Sequence, residues 1–413
     1  MYFLYNLLIL ISWQALKIVA IFKPKLRLFV EGRKGVNALL QERLKQDDNY
    51  VWVHTASLGE FEQGLPVIKA LRNSYPNHRI LVTFFSPSGF EVKKNSKEAD
   101  LITYLPFDSR RKVKNFLDRV EPVLAIFVKY EIWPNYLNEL KRRKIPTILI
   151  SGIFNSDQIY FKWYGKFMRN ALSQFSHYFV QDKNSETLLK SAGLSEISVS
   201  GDTRFDRVNE ILGRDNRLDF MDKFKKDHIC LVMGSTWPED EALLVQWLPD
   251  VPQNVRVVIA PHDIKKEHLQ ALQKSLPQNS VNYTEAREAD LLSCQFLVLD
   301  TIGILTKVYS YADIAYVGGG FATGLHNTLE PAVFGIPVLT GPNFQGFKEA
   351  EDMVELGGIS VIENSESFAD TLRNLLEDES AMKRQGAINS DYIASQKGAT
   401  EKIINYIATH LKI

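Results

Sequence analysis

Cysteine is nearly missing from this chain. Cys230 and Cys294 are the two among 413 residues, and both lie in or beside apolar runs, which excludes a disulfide scaffold and implies a reduced, uncrosslinked protein. No Cys/His cluster has structural-zinc spacing. A surplus of either charge is missing too: 49 Lys and Arg face 49 Asp and Glu. That balance indicates no basic surface for nucleic acid, and there is no acidic tail. Low-complexity linkers and repeats at solenoid periods are also lacking. What remains is an ordinary globular composition, 45% hydrophobic and 24% charged, long enough for two domains with separate cores.

The N-terminus is less ordinary. Residues 1–22 are almost wholly apolar or aromatic, interrupted by Asn6, Ser12, Gln14 and Lys17, and followed by Lys23, Lys25, Arg27, Arg33 and Lys34. No charge precedes the run and no small-residue cleavage site follows it, so a removable signal peptide is not expected. Asn6, Trp13, Gln14 and Lys17 share one helical face, which favours a helix lying in or shallowly inserted into a membrane, although its length would also allow a span. The basic flank predicts that the body stays cytoplasmic. A buried helix of the first domain is the alternative.

Residues 50–201 alternate apolar runs with helical patterns, as a parallel α/β sheet requires. Strands are predicted at 51–55, 80–84, 101–104, 124–128, 147–151, 178–181 and 198–200. A polar stretch at 202–227 reads as a connection. A second alternation follows, with strands at 229–234, 255–260, 296–299, 314–317, 336–339 and 359–362. The expected organisation is an N-terminal helix at 1–30, one domain at 31–205, a linker at 206–228, a second domain at 229–398 and a final helix at 399–413 packing back across the hinge.

The most informative stretch is 312–347, ADIAYVGGGFATGLHNTLEPAVFGIPVLTGPNFQGF. A buried strand stops at Gly318, Gly319 and Gly320, where bare backbone would let a ligand come close. His326-Asn327 leads into a helix predicted to end at Gly335, and the next strand follows. Such a unit sets a glycine loop and a helix N-terminus beside one crevice, which suits an anion. Asn327 and Glu330 also have capping spacing, so both could serve only the helix end. Ser57 and Glu60 share that spacing. An acid at a strand end on a loop with Gly59 is equally placed to act as a base. Glu131 follows another strand end. Ser235 and Thr236, before Pro238, have hydroxyls that could hold a phosphate.

Ser57-x-Gly59-Glu60, the run Glu131-Ile132-Trp133-Pro134-Asn135, the segment 201–206, Asp300-Thr301-Ile302-Gly303, the three glycines, HNTLEP at 326–331 and PVLTGP at 337–342 together resemble the 3-deoxy-D-manno-octulosonic acid (Kdo) transferases of lipopolysaccharide synthesis, which use CMP-Kdo. The resemblance implies two Rossmann-like doubly wound domains facing a central crevice, the GT-B glycosyltransferase architecture, with a membrane-associated N-terminal helix. It implies inverting transfer of Kdo from CMP-Kdo to a lipid A precursor, lipid IVA. Glu60 is then the general base, with Ser57, Gly59 and Glu131 on the acceptor side. The donor side comprises Arg204, Ser235, Thr236, Pro261, His262, Gly318, Gly319, Gly320, His326, Asn327 and Glu330, with Glu330 on the ribose. CMP-Kdo enters as substrate; no other cofactor and no essential metal are expected, there being no Asp-x-Asp pair. The implied partners are CMP-Kdo, a lipid A precursor and the cytoplasmic face of the inner membrane, with no nucleic acid. Tyr160, Phe161, Lys162, Trp163, Tyr164, Lys166 and Arg169 would face the membrane, or form one amphipathic helix on their own domain. Two positions depart from the family pattern: His262 stands where an arginine is usual, and Ile304 where an acid is common. The alternatives are a UDP-sugar transferase or epimerase of the same fold, and a non-catalytic sugar-nucleotide-binding membrane scaffold.

Overall fold

The computed structural model describes residues 1–45, 47–322 and 324–411, and the chain forms two compact units, 1–207 with 397–413 and 208–396. Each is built on a fully parallel seven-stranded sheet. In the first, β1 (Asn49–Thr55), β2 (His78–Phe84), β3 (Leu101–Tyr104), β4 (Leu124–Val128), β5 (Thr147–Gly152), β6 (His177–Val180) and β7 (Ile197–Val199) are arranged 3-2-1-4-5-6-7. In the second, β8 (Ile229–Thr236), β9 (Val255–Pro261), β10 (Ser280–Asn282), β11 (Phe296–Val298), β12 (Ile314–Val317), β13 (Val338–Thr340) and β14 (Ile359–Val361) are arranged 10-11-9-8-12-13-14.

The central strands are continuous apolar runs because helices cover both faces. One face of the first sheet is organised by the fully buried Trp52, whose ring lies 5.0 Å from Phe116 and 5.2 Å from Phe127 and whose Nε1 donates to Thr83 Oγ1 at 2.8 Å. On the other face Phe61, Ile68 and Phe84 pack with Ile403 and Ile407 of the last helix, Ala399–His410. That helix closes onto helix Leu58–Ser74 of the first unit. Its start is tied down by Asp206, whose carboxylate accepts from Gly398 N and Thr400 N, each at 2.7 Å.

The N-terminal helix Tyr2–Val19 is long and apolar enough to cross a membrane, and none of it is fully buried. Ile9, Trp13 and Leu16 nevertheless pack on Phe29, Val30 and Phe107 of the first unit, leaving Phe3, Leu4, Leu7, Leu8, Leu10 and Ile11 exposed. Asn6 and Trp13, placed by the pattern on one polar face with Gln14 and Lys17, turn towards the protein instead, because their partners are protein groups: Asn6 Oδ1 accepts from Asn135 Nδ2, and Trp13 lies against Phe107.

Two local expectations are corrected. The stretch read as a connection is helical at Thr203–Leu212 and Asp219–Lys225, with Met221 and Phe224 fully buried; helices this short offer too few turns for a periodic signal. Edge strand β10 was not anticipated, since Ser280-Val281-Asn282 carries a single apolar residue.

Asp206→Ala leaves the N–H groups of Gly398 and Thr400 without their acceptor. It is expected to destabilise the first unit by about 1–2 kcal/mol, read as a fall in thermal midpoint with faster amide exchange across 399–410.

Candidate active site

In a parallel sheet, loops leaving two neighbouring strands diverge to opposite faces wherever the strand order reverses, and the gap between them is a binding crevice. The first sheet reverses between β1 and β4, the second between β8 and β12. Glu60 follows β1 and Glu131 follows β4. Ser235 and Thr236 end β8, and the three glycines follow β12. The chemically equipped loops therefore sit at the two switch points. Backbone strain marks the same edges: of the non-glycine residues with positive φ, Glu121, Lys144 and Lys226 finish helices, whereas Lys129 (65°), Ser151 (52°) and Ser235 (55°) lie at strand carboxyl ends.

At the first switch point Glu60 is 8% exposed. Its carboxylate accepts from Ser57 N at 2.8 Å, so the helix-capping role is real. Burial pushes its pKa up, the Glu131 charge pushes it further, and the Ser57 and Ala56 amides and His54 hold it back. The net shift is upward from 4.5, towards a stronger base. Glu131 is held by Trp133, whose Nε1 lies 2.9 Å from its Oε2 and 3.2 Å from His54 Nε2. His54 is fully buried, with Nδ1 2.9 Å from Thr83 Oγ1 and 3.1 Å from Thr83 O. Behind Trp133, Phe85 lies 4.7 Å away; its carbonyl oxygen accepts from the buried Arg33, which also donates to Leu105 O and Phe29 O. Gly59 is exposed, and a Cβ there would meet nothing nearer than Ser57 Oγ at 4.0 Å.

At the second switch point the glycines serve the protein's own packing. A Cβ on Gly318 would lie 2.4 Å from Ser235 O, one on Gly319 2.3 Å from Gly324 O, and one on Gly320 2.7 Å from Gly341 Cα. Gly318 N donates to Gly234 O, and Gly319 N to Asp240 at 3.0 Å. Those two amides are not available to an anion, contrary to expectation. Asp240, fully buried, also accepts from Trp237 N and Tyr316 Oη and is the hub of this end; its position three residues after Trp237, at a helix start, was the one sequence signal for it.

The helix expected from Asn327 to Gly335 is a single turn, Leu329–Ala332, followed by a turn that ends at Gly335 in left-handed backbone (φ 69°). Asn327 caps through Leu329 N and also donates to Glu330 Oε1, while Glu330 Oε2 accepts from Thr306. Thr236 donates its hydroxyl to Glu241 Oε1 at 3.0 Å, so it can only accept from a ligand, whereas Ser235 Oγ makes no hydrogen bond among the described residues. Arg204 is engaged by Asp202, its NH2 group 2.7 Å from Oδ2. Pro261 ends β9, and His262 after it donates its backbone N–H to Thr236 O. The His262 ring stacks between Trp237 (4.7 Å) and His326 (4.5 Å). Burial, with His262 adding to it, pushes His326 down to about 4. Its Nε2 accepts from Trp237 Nε1 at 3.1 Å, as a neutral ring should. No cluster of three or more His, Cys, Asp or Glu groups suited to a metal occurs among the described residues.

Two parallel Rossmann-like units, each with its loops at a switch point, have the GT-B architecture. The UDP-GlcNAc 2-epimerase from Neisseria meningitidis bound to UDP-GlcNAc has this fold, with a TM-score of 0.63 at 14% identity over 87% of this chain and 100% of that one. Residues 23–207 match the family profile described as 3-deoxy-D-manno-octulosonic-acid transferase (kdotransferase). The 3-deoxy-D-manno-octulosonic acid transferase of Chlamydophila psittaci is 29% identical over 320 residues, covering 74% of this chain and 72% of that protein. That of Haemophilus influenzae is 26% identical over 386 residues, covering 88% and 87%.

The two kinds of glycine separate experimentally. Gly320→Ala forces backbone against backbone and is expected to cost about 1–3 kcal/mol. Gly59→Ala meets open space on a helix and should stay within about 1 kcal/mol of the parent. Thermal unfolding of both variants reads the difference.

Proposed function

We propose that this protein transfers Kdo from CMP-Kdo to a hydroxyl of a lipid A precursor, with inversion at the anomeric carbon. The observation that carries the reading is the buried Glu60 carboxylate, raised in pKa beside Glu131, in a chain whose relatives are Kdo transferases. Glu60 takes the acceptor hydroxyl proton as that oxygen attacks the anomeric carbon; the bond from the sugar to the phosphate oxygen breaks, and CMP leaves with the electron pair. Charge growing on the phosphate is met by donors of the second unit, for which the Ser235 hydroxyl and the His262 ring are suited. Glu330, oriented by Thr306 and Asn327, accepts from the ribose hydroxyls. The Gly59 backbone leaves room for the acceptor.

Membrane association follows from the exposed side of the N-terminal helix, with Phe3 80% exposed, and from Trp163, 90% exposed beside Tyr164 and Lys162. The helix lies along an anionic surface with its basic flank, Lys23, Lys25 and Arg27, on the cytoplasmic side.

Incubation with labelled CMP-Kdo or UDP-GlcNAc and a lipid A precursor is expected to give product from CMP-Kdo only; product from the UDP-sugar, or none, overturns the reading. Glu60→Gln should abolish turnover while CMP-Kdo binding persists. The base must be ionised, so activity falls with decreasing pH on a limb centred above 4.5. Glu131→Gln removes the neighbouring like charge and moves that limb to lower pH, measured from the pH dependence of kcat.

A further inference from the structure

The N-terminal helix is joined to the acceptor side by polar contacts that an attachment device would not need. Tyr5 Oη donates to Asp108 Oδ2 at 2.6 Å. Asp108 is 1% exposed, and the same carboxylate accepts from Asn135 N at 3.2 Å and Tyr136 N at 3.1 Å, the first turn of helix Pro134–Arg142. Tyr2 Oη donates to Pro134 O and accepts from Asn138 Nδ2 at 2.7 Å, and Asn135 Nδ2 donates to Asn6 Oδ1 at 3.1 Å. Three side chains on one face of the N-terminal helix thus grip the turn that begins directly after Glu131-Ile132-Trp133. Trp133 in turn is the donor that holds Glu131 beside His54.

We propose that Tyr5, acting through Asp108, is a positioning residue for the Glu131–Trp133 loop, so that the N-terminal helix is a working part of the acceptor site as well as its membrane contact. The inference rests on the acceptor-side reading of Glu131 given above. Asp108 is the coupling element. Burial pushes its pKa up to about 6 against the pull of its three donors. Without the Tyr5 hydroxyl this buried carboxylate loses one of its three donors, and its hold on the turn it caps weakens.

The test uses the full chain in detergent micelles, where no bilayer is present, with CMP-Kdo and a lipid A precursor. Tyr5→Phe removes one hydroxyl and leaves the exposed apolar face unchanged. It is expected to lower kcat about tenfold or more with KM for CMP-Kdo unchanged. The acid limb of kcat should shift to lower pH as Glu131 moves off Glu60, and amide exchange at Asn135 and Tyr136 should quicken. Asp108→Asn sets an amide NH2 against groups that donate, since both Asp108 oxygens accept, and should lower kcat at least as far as Tyr5→Phe. Phe3→Ser, on the exposed face, should weaken binding to anionic vesicles and leave kcat in micelles unchanged. An active parent with Tyr5→Phe unaltered in kcat and acid limb overturns the inference. If the parent shows no transfer from CMP-Kdo, the functional reading falls instead, and unaltered exchange at Asn135 and Tyr136 in Tyr5→Phe overturns the positioning claim independently.

Discussion

The reversal of strand order inside each parallel sheet is the constraint on which everything else in this protein depends. Right-handed crossovers oblige the connection after one strand to leave above the sheet and that after its neighbour to leave below, so a gap at the carboxyl edge is a topological necessity. Side chains on the loops after β1 and β4, and after β8 and β12, are placed there before any question of chemistry arises. The chain then spends its special conformations on those loops, with Lys129 and Ser235 in left-handed backbone that a glycine would adopt more readily.

The two switch points are finished by opposite means. The first gathers like charge in a poorly hydrated spot: two carboxylates beside an imidazole and an indole donor. Burial and repulsion win over the capping amides, so Glu60 serves the helix end and gains proton affinity at once. The second is finished by packing. Asp240 absorbs the amides and hydroxyl that converge on it, the glycines allow that convergence, and a stack of Trp237, His262 and His326 is left at the margin.

Much of this was legible in the residues. Apolar runs located thirteen of the fourteen strands, because a strand buried on both faces has to be apolar throughout. Ser57-x-Gly59-Glu60 disclosed both a cap and an acid, and the structure contains the cap. The glycine run was visible, but its cause was not: nothing local says that Asp240, seventy-nine residues away, lies against Gly319. The same blindness hid Asp108 and Tyr5, which are distant in sequence and meet only in the fold. His262 and Thr236 could be named as polar groups at strand ends, whereas their engagement by neighbouring rings and by Glu241 needed coordinates.

The return of the last helix to the first unit has a bearing on how the protein is made. Ile403 and Ile407 complete a core whose other members are all synthesised before residue 207. At about 5–20 residues per second, some tens of seconds pass on the ribosome while the second unit is translated. During that interval the earlier unit has an open apolar flank against helix Leu58–Ser74, and the later one can complete its own sheet first. Emergence order and maturation order are therefore inverted, and the nascent first unit is the species with the greatest need of a chaperone.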